Sequence, residues 1–541
     1  MKKKKINLDI SKINSKSEIN KFDFGWYDLN TIKLFREDLL KKIIPIIKIN
    51  KSSKKNNPSL ILSVNIFSKW FFAGMFELFA SLQTKKFLKS KFNEIQTPKK
   101  FIFLKKILND DLPSTLFQNL RNQELDQNKL IRFLKNSIRT IQLNSIKDFM
   151  KFKRKEDVVL YTGFLKKNIR GNGKLNVLRD LKYFFNNKKN HQFGFFHDEK
   201  NEYSNEDLHQ FFLIKKLVIS SFIKFNIKLT KNNIIYIDNF IHHCFLFLRY
   251  NWISRNIPKV LHIGTGGSLP WGKLLCALVI LNGGKVINYE HGRGTILHFF
   301  VQKFFTDLNF SSKFITINKR HMIINRKRYN NLKSKYQLHN FNVNISYPQR
   351  KILNPFDIKK KKFDHIKTNK IKALYVGSPF FGYSASFRPL LPDIHYLKFQ
   401  SQIFNFLERK KIDFFLKSHP GGKSYLPVDI AKIYEFNILN DKYENSVDKI
   451  DFDFFILDHI ASSTAPHIIN YSKPTIYFDF NFTEINKLII KEFNNSIKTI
   501  PVNQDNKGNF IFDNNLFDKF INNIRCNNHT NWKREITKFY D

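Results

Sequence analysis

Apolar positions in the second half of the chain alternate between short continuous runs and helix-spaced stretches, and that alternation predicts strands joined by helices. Pro258-Lys-Val-Leu-His-Ile-Gly-Thr-Gly-Gly267 is a short apolar run entering a glycine-rich turn. Pro270 to Leu281 follows with helical spacing, and Gly283-Gly-Lys-Val-Ile-Asn-Tyr289 is a second run that ends at Glu290-His-Gly-Arg-Gly294. This is the order of a βαβ unit. The pattern returns with Ile371-Lys-Ala-Leu-Tyr-Val-Gly377 as a strand, Tyr396 to Arg409 as a helix and Asp413-Phe-Phe-Leu-Lys417 as a strand. Phe436-Asn-Ile-Leu439 and Phe454-Phe-Ile-Leu-Asp458 are further strands, Ala465 to Tyr471 a short helix, and Pro474-Thr-Ile-Tyr-Phe-Asp479 a last strand. Strands separated by such helices predict a mostly parallel sheet covered on both faces, with ligands beyond the strand C-termini.

The first half is less regular. Residues 1–56 are lysine-rich and weakly periodic, which predicts a basic lead-in with a short helix around Leu34 to Ile44. Pro58-Ser-Leu-Ile-Leu-Ser-Val64 predicts a first buried strand, and 66–90 a helix. The stretch from 95 to 230 has a mostly helical pattern, interrupted by a polar loop from Phe193 to Ser204. Charge and chain breakers gather between Tyr329 and Lys370, as in a connection between domains. The expected organisation is a lead-in (1–56), an N-terminal Rossmann-like domain with a helical insertion (57–340), a linker (341–370) and a C-terminal Rossmann-like domain (371–541). A chain of 541 residues suits two or three such units better than a single core.

Composition adds a partner class without choosing one. Lys and Arg number 92 against 45 Asp and Glu, for a formal charge of +47, which draws nucleic acid, anionic lipid or a polyanionic substrate toward the chain. Lysine, asparagine and isoleucine are abundant throughout, so part of that excess is background. The 42% hydrophobic content, with 59 Phe, excludes wholesale disorder. Cys244, Cys276 and Cys526 are odd in number and far apart, which fits a reducing compartment and gives no disulfide framework. The basic start Met1-Lys-Lys-Lys-Lys-Ile6 lacks a following apolar run, so no secretion signal is expected. Leu60 to Ala80 is interrupted by Lys69 and Glu77, and Leu274 to Leu281 is too short, so neither is expected to span a bilayer.

Several strand ends carry groups suited to phosphate chemistry. Lys417-Ser-His-Pro-Gly-Gly422 places an imidazole where glycines let a backbone come close. Lys417, at the same strand parity as His419, offers a point charge; the alternative is a solvent-facing pair at a strand end. Ser462, Ser463 and Thr464 stand at a helix start, where hydroxyls and free N–H groups bind an anion or simply cap the helix. Asp458 either orients hydroxyls, a ribose or His419, or is a buried structural carboxylate. His291, before Gly-Arg-Gly, has an ordinary imidazole pKa suited to taking an acceptor hydroxyl proton, with Arg293 holding charge nearby; the plainer alternative is a histidine that braces the turn. Glu290 points to the opposite face of its strand and is the weaker base. Gly264, Gly266 and Gly267 shape the acceptor side or only permit a tight connection, and Gly377 and Ser378 approach the donor or only end a strand. Gly264 to Gly267 match neither the dinucleotide fingerprint nor an ATPase phosphate loop. No cluster has zinc spacing.

At His291-Gly292, Lys417-Ser-His-Pro420 and Asp458 with Ser462-Ser463-Thr464, the chain resembles bacterial capsule and surface-polysaccharide transferases of the two-Rossmann-domain (GT-B-like) architecture, and more distantly CDP-glycerol glycerophosphotransferases. The likeness runs over roughly residues 258–480. It implies an α/β fold with two Rossmann-like domains facing a cleft and a helical N-terminal elaboration. It also implies acceptor activation by His291 and donor binding by Lys417, His419, Asp458 and the Ser462–Thr464 segment. The activity so implied is glycosyl or polyol-phosphate transfer from a CMP-, CDP-, UDP- or GDP-linked donor to a glycan or lipid-linked acceptor. No tightly bound cofactor or metal is expected, and the expected place is cytoplasmic, with peripheral contact at the inner membrane. Asp458-His-Ile-Ala-Ser-Ser departs from the tighter Asp-Tyr-Ser-Ser of the glycerophosphotransferases and favours a sugar transferase. The alternatives are a noncatalytic scaffold of a glycan-assembly complex and a basic nucleic-acid-binding protein, the latter without a zinc finger, RRM signature or basic zipper.

Overall fold

The computed structural model describes residues 5–22, 25, 28–49, 59–98, 102–114, 158–160, 176–178, 203–250, 252, 257–264, 270–290, 296–297, 301–347, 370–378, 391–417, 430–439, 450–460, 465, 468, 473–481 and 485–526. Fifteen strands among these make three sheets. A small parallel pair joins β1 (Lys5–Asn7) to β2 (Glu94–Gln96). The second sheet has β3 (Val158–Leu160), β4 (Asn176–Leu178), β5 (Val260–Gly264), β6 (Lys285–Tyr289), β7 (Lys313–Ile315) and β8 (Asn344–Ser346). Its spatial order is β4-β3-β5-β6-β7-β8, parallel throughout. Counting from β3, this is the 2-1-3-4-5 order of one doubly wound class, extended by a strand, and its order reverses between β3 and β5.

The third sheet has β9 (Lys372–Val376), β10 (Asp413–Lys417), β11 (Asn437–Leu439), β12 (Phe454–Leu457), β13 (Thr475–Asp479), β14 (Lys498–Gln504) and β15 (Phe510–Phe512). The order β11-β10-β9-β12-β13-β14 is 3-2-1-4-5-6, the dinucleotide-fold order, and β15 pairs antiparallel with β14 at one edge. Its core explains the sequence pattern. In β12, Phe454 and Ile456 enter one hydrophobic cluster while Phe455 and Leu457 enter another, so both faces are covered and no polar alternation survives. Burying each such side chain contributes about 1.5–3 kcal/mol.

The first half departs from expectation in three places. The apolar run at 58–64 is not a strand: Leu60–Ile66 is a helix, capped by Ser59, whose side chain accepts from Leu62 N at 3.2 Å, and tied at its start by Leu60 N donating to Asp207 Oδ1 at 2.8 Å. A short apolar run has no period that separates a buried strand from a buried helix, and here the cap decides. The lead-in is largely built into the fold. Ile6, Leu8, Ile10 and Ile13 are buried, and Leu29–Ile47 is a 19-residue helix burying Leu29, Ile32, Phe35, Leu39, Leu40, Ile43, Ile44 and Ile47. The region from Tyr329 is not all connector, since Lys319–Tyr336 is one helix and β8 follows it as the sheet edge.

Leu60–Ile66 meets Ser68–Lys91 at a bend of 80°. Among the described residues no single helix is long and apolar enough to cross a membrane.

Candidate functional site

The third sheet reverses its order between β9 and β12, and the described residues singled out in the C-terminal half, Gly377, Ser378, Lys417 and Asp458, converge there. Lys417 of β10, Val376 of β9 and Leu457 of β12 lie in one register row, so three strands end together. The next residues, Gly377 and Asp458, stand at the switch point where open α/β sheets receive ligands.

Asp458 is buried, and its carboxylate is committed to the protein. Oδ2 accepts from the hydroxyls of Tyr375 (2.5 Å) and Tyr396, while Oδ1 accepts from Ser378 N (2.8 Å) and Ser378 Oγ (2.9 Å). Of the two roles left open by the sequence, the geometry gives the structural one: Asp458 pins the chain leaving β9 to the end of β12 and to the Asp393–Arg409 helix. Burial holds its pKa above the ordinary carboxylate value, and the bonds from Tyr375, Tyr396 and Ser378 offset only part of that rise. The same burial, with Asp458 beside them, drives both tyrosine hydroxyls well above their ordinary value, so they stay protonated as donors.

Gly377 is required by close approach. A Cβ there would lie 2.9 Å from Tyr396 Oη and 2.9 Å from Gln400 Nε2. Ser378 N and Oγ turn inward to Asp458, and these two bonds hold the Gly377–Ser378 segment as a shelf at the end of β9, beside the switch point. Lys417 is also largely buried; Nζ donates to Leu439 O at 3.3 Å, across the ends of β10 and β11. Its charge lies at the C-terminal edge of the sheet, one strand from Gly377. His419, Ser462, Ser463 and Thr464 lie outside the described residues, as does most of the predicted helix from Ala465 to Tyr471.

On the other sheet Gly264 ends β5 and is buried, next to the β3–β5 switch point, whereas Gly266, Gly267, His291 and Arg293 lie outside the described residues. The residue before His291 is described, and it carries a network that sequence inspection passed over. Glu290 is buried; Oε1 accepts from Lys303 Nζ at 3.0 Å, and Oε2 accepts from Ile317 N at 3.2 Å and from His321 Nδ1 at 3.1 Å. Since an ionised carboxylate only accepts, Nδ1 of His321 is the protonated nitrogen in this contact. Glu290 N donates to Ile315 O at 2.8 Å. The residue immediately before His291 is thus clamped to β7 and to the Lys319–Tyr336 helix. The weak signal for it was a carboxylate at the end of an apolar strand, which must find partners when buried.

The two halves also touch at Ile296 and Leu297. Asn486 donates from N to Leu297 O at 3.0 Å and from Nδ2 to Ile296 O at 2.8 Å, joining this pair, six and seven residues after Glu290, to the segment following β13. Ile296 and Leu297 share a hydrophobic cluster with Leu374, Val376 and Leu457.

No protein-family model matches the chain, and no curated protein matches it. Among solved structures it is similar to the crystal structure of a glycosyltransferase from Rickettsia africae ESF-5, with a TM-score of 0.29 and 12% identity over 71% of this chain and 91% of that one. At that TM-score the similarity establishes neither a shared fold nor a shared activity.

Proposed function

We propose that the protein transfers a glycosyl or polyol-phosphate unit from a nucleotide-activated donor to a surface-polysaccharide acceptor, with the two doubly wound sheets as donor and acceptor halves of a GT-B-like enzyme. The observation that carries this is the third sheet: its 3-2-1-4-5-6 order puts a glycine shelf, Gly377–Ser378, at the switch point, with Lys417 at the end of the adjoining strand. A nucleotide diphosphate laid over that shelf meets Lys417 and, in this reading, His419 and the Ser462–Thr464 hydroxyls and N–H groups. These groups offset the charge that grows on the departing phosphate. Asp458 acts through Ser378 rather than on the donor.

On the acceptor side His291 takes the proton of the attacking hydroxyl and Arg293 holds charge beside it, while Glu290 fixes where their turn begins. Gly264, Gly266 and Gly267 line that side. Donor and acceptor held in line supply the entropy part of the barrier, and closing the site keeps water from competing. Nucleotide-activated donors are cytoplasmic metabolites, so the reaction is placed in the cytoplasm.

The test is binding of CMP, CDP, UDP, GDP and their activated sugars to the full chain, repeated with Lys417→Gln and His419→Ala, followed by turnover with His291→Ala. Selective binding of one nucleotide class, weakened about tenfold or more in both folded variants, is expected. Absence of nucleotide binding sinks the transferase reading. Donor binding without transfer across an acceptor panel turns it into the scaffold reading.

A further inference from the structure

From residue 308 to residue 356 the chain contains no Asp or Glu, and ten Lys or Arg. Most of these cations lie on the Lys319–Tyr336 helix, which packs beside β8 at the edge of the second sheet. Its inner face is buried through His321, Met322, Ile324, Asn325, Arg328, Tyr329 and Tyr336. Its outer face exposes Lys319, Arg320, Ile323, Arg326 and Lys327. At 100° per residue, Ile323 falls between Lys319 and Arg326 on one side and Arg320 and Lys327 on the other. Ile323 is 53% exposed, an aliphatic side chain flanked on the wheel by Lys319, Arg320 and Lys327, with Arg326 beside them and donating from Nε to Ile345 O of β8 at 2.9 Å.

We propose that this face is a docking surface for an anionic lipid bilayer. Lys and Arg stems reach past an apolar side chain to the headgroup charge while the aliphatic group enters the boundary of the acyl region. A nucleic-acid strand fits the same charge less well. Such surfaces stack bases on exposed aromatics, and both tyrosines of this helix are buried.

The position ties docking to the site. His321 and Asn325, on the inward side of the same helix, reach Glu290 at 3.1 and 3.5 Å, and Glu290 immediately precedes His291. Docking the outer face thus sets Glu290, the residue before His291, about one helix diameter, ~10–12 Å, from the lipid surface. That depth suits an acceptor carried on a lipid, a consequence that rests on the transferase reading; the docking itself does not.

The experiment is sedimentation of the full chain with vesicles of phosphatidylcholine alone or with roughly a third phosphatidylglycerol, with no donor or acceptor present. The protein is expected to pellet with the anionic vesicles only. Lys319→Gln/Arg320→Gln/Lys327→Gln is expected to weaken that binding about tenfold or more. Ile323→Ser weakens it less and without a charge change. Lys228→Gln/Lys498→Gln/Lys519→Gln removes the same charge from exposed positions elsewhere and leaves binding intact. Circular dichroism confirms that each variant keeps its helix content. The proposal fails if the helix variant pellets like the wild type, or if both triple variants lose binding equally, which would mean bulk charge. It fails equally if the wild type ignores anionic vesicles but binds poly(U) through these three residues. Because turnover is not measured, failure of docking is separate from failure of the transferase reading, which nucleotide binding decides.

Discussion

Asp458 and Glu290 show how a carboxylate beside a functional segment acts through its neighbours. Each follows a parallel strand, each is buried, and each gathers donors from separate elements. Asp458→Asn turns one accepting oxygen into an NH2 group facing a hydroxyl or N–H donor, which leaves buried groups unpaired at a cost of about 1–3 kcal/mol. Urea unfolding is expected to show that loss, and nucleotide binding to weaken with it as Ser378 is released; an unchanged midpoint would mean that the four bonds are not formed together. Glu290→Gln takes the carboxylate charge away from the buried ammonium of Lys303 and is expected to cost up to about 3–5 kcal/mol. Adding Lys303→Met removes that buried charge as well, so the double variant is expected to be more stable than Glu290→Gln alone, and a cycle with Lys303→Met measures the coupling. At this scale the sequence located strand-end positions well: Gly377, Ser378, Lys417 and Asp458 do come to one sheet edge. It did not give the direction of each side chain. Nothing in the local pattern links Tyr375 and Tyr396 to Asp458, across 83 and 62 residues, and that link decides whether the carboxylate faces a ligand or the protein.

Elements of the third sheet were legible because their strands are continuous apolar runs ended by Gly, Pro or a charge, and β10 starts and stops where the pattern predicts. The 58–64 run misled because seven apolar or small residues fit either a strand or a helix, and the deciding contact comes from Asp207, far along the chain. The helix Ser68–Lys91 was legible as a helix but not as one buried nearly all round, a property that depends on what surrounds it. Its packing makes a prediction. A Cβ on Gly74 would lie 2.3 Å from Cε2 of Phe240, and that ring is fully buried with Phe71 and Tyr236 around it. Gly74→Ala gains about 1 kcal/mol of helix propensity but overpacks the contact by about 1–3 kcal/mol. Chemical denaturation is expected to show a net loss, reversed in part by Phe240→Leu. A net gain would mean that Ser68–Lys91 and the Lys231–Tyr250 helix, which carries Phe240, separate freely.

For the whole molecule, strand order is the feature least visible in sequence, since 3-2-1-4-5-6 and its alternatives share the same succession of strands and helices; only pairing across the sheet distinguishes them. Acid stability is likewise a property of the assembled core. Burial lowers the pKa of His243, His339 and His395 to about 3, with His242, Lys273 and Lys398 respectively adding to the effect. In the unfolded chain these imidazoles titrate near 6.5, so between pH 6.5 and 3 the unfolded state binds three protons that the folded state refuses, and stability falls as pH falls. Glu77 opposes them. Burial raises its pKa to about 7, so between pH 7 and 4.5 the folded state holds a proton that the unfolded state releases. Three histidines against one glutamate leave about two protons, or about 3 kcal/mol lost per pH unit in the window from 6 to 5 as an upper bound, since Asp238, Asp458 and Asp479, whose pKa values burial also raises, act in the same direction as Glu77. Asp38, Asp110 and Asp505, whose pKa values are lowered, add their losses only below the ordinary carboxylate range. The urea midpoint is therefore expected to drop steeply from pH 6.5 to 5. His395→Gln, which keeps a polar side chain but has no proton to refuse, is expected to flatten the slope by about 1.4 kcal/mol per pH unit. A midpoint that stays level across this window, or a His395→Gln slope equal to that of the wild type, would show that these histidines are protonated within the folded core.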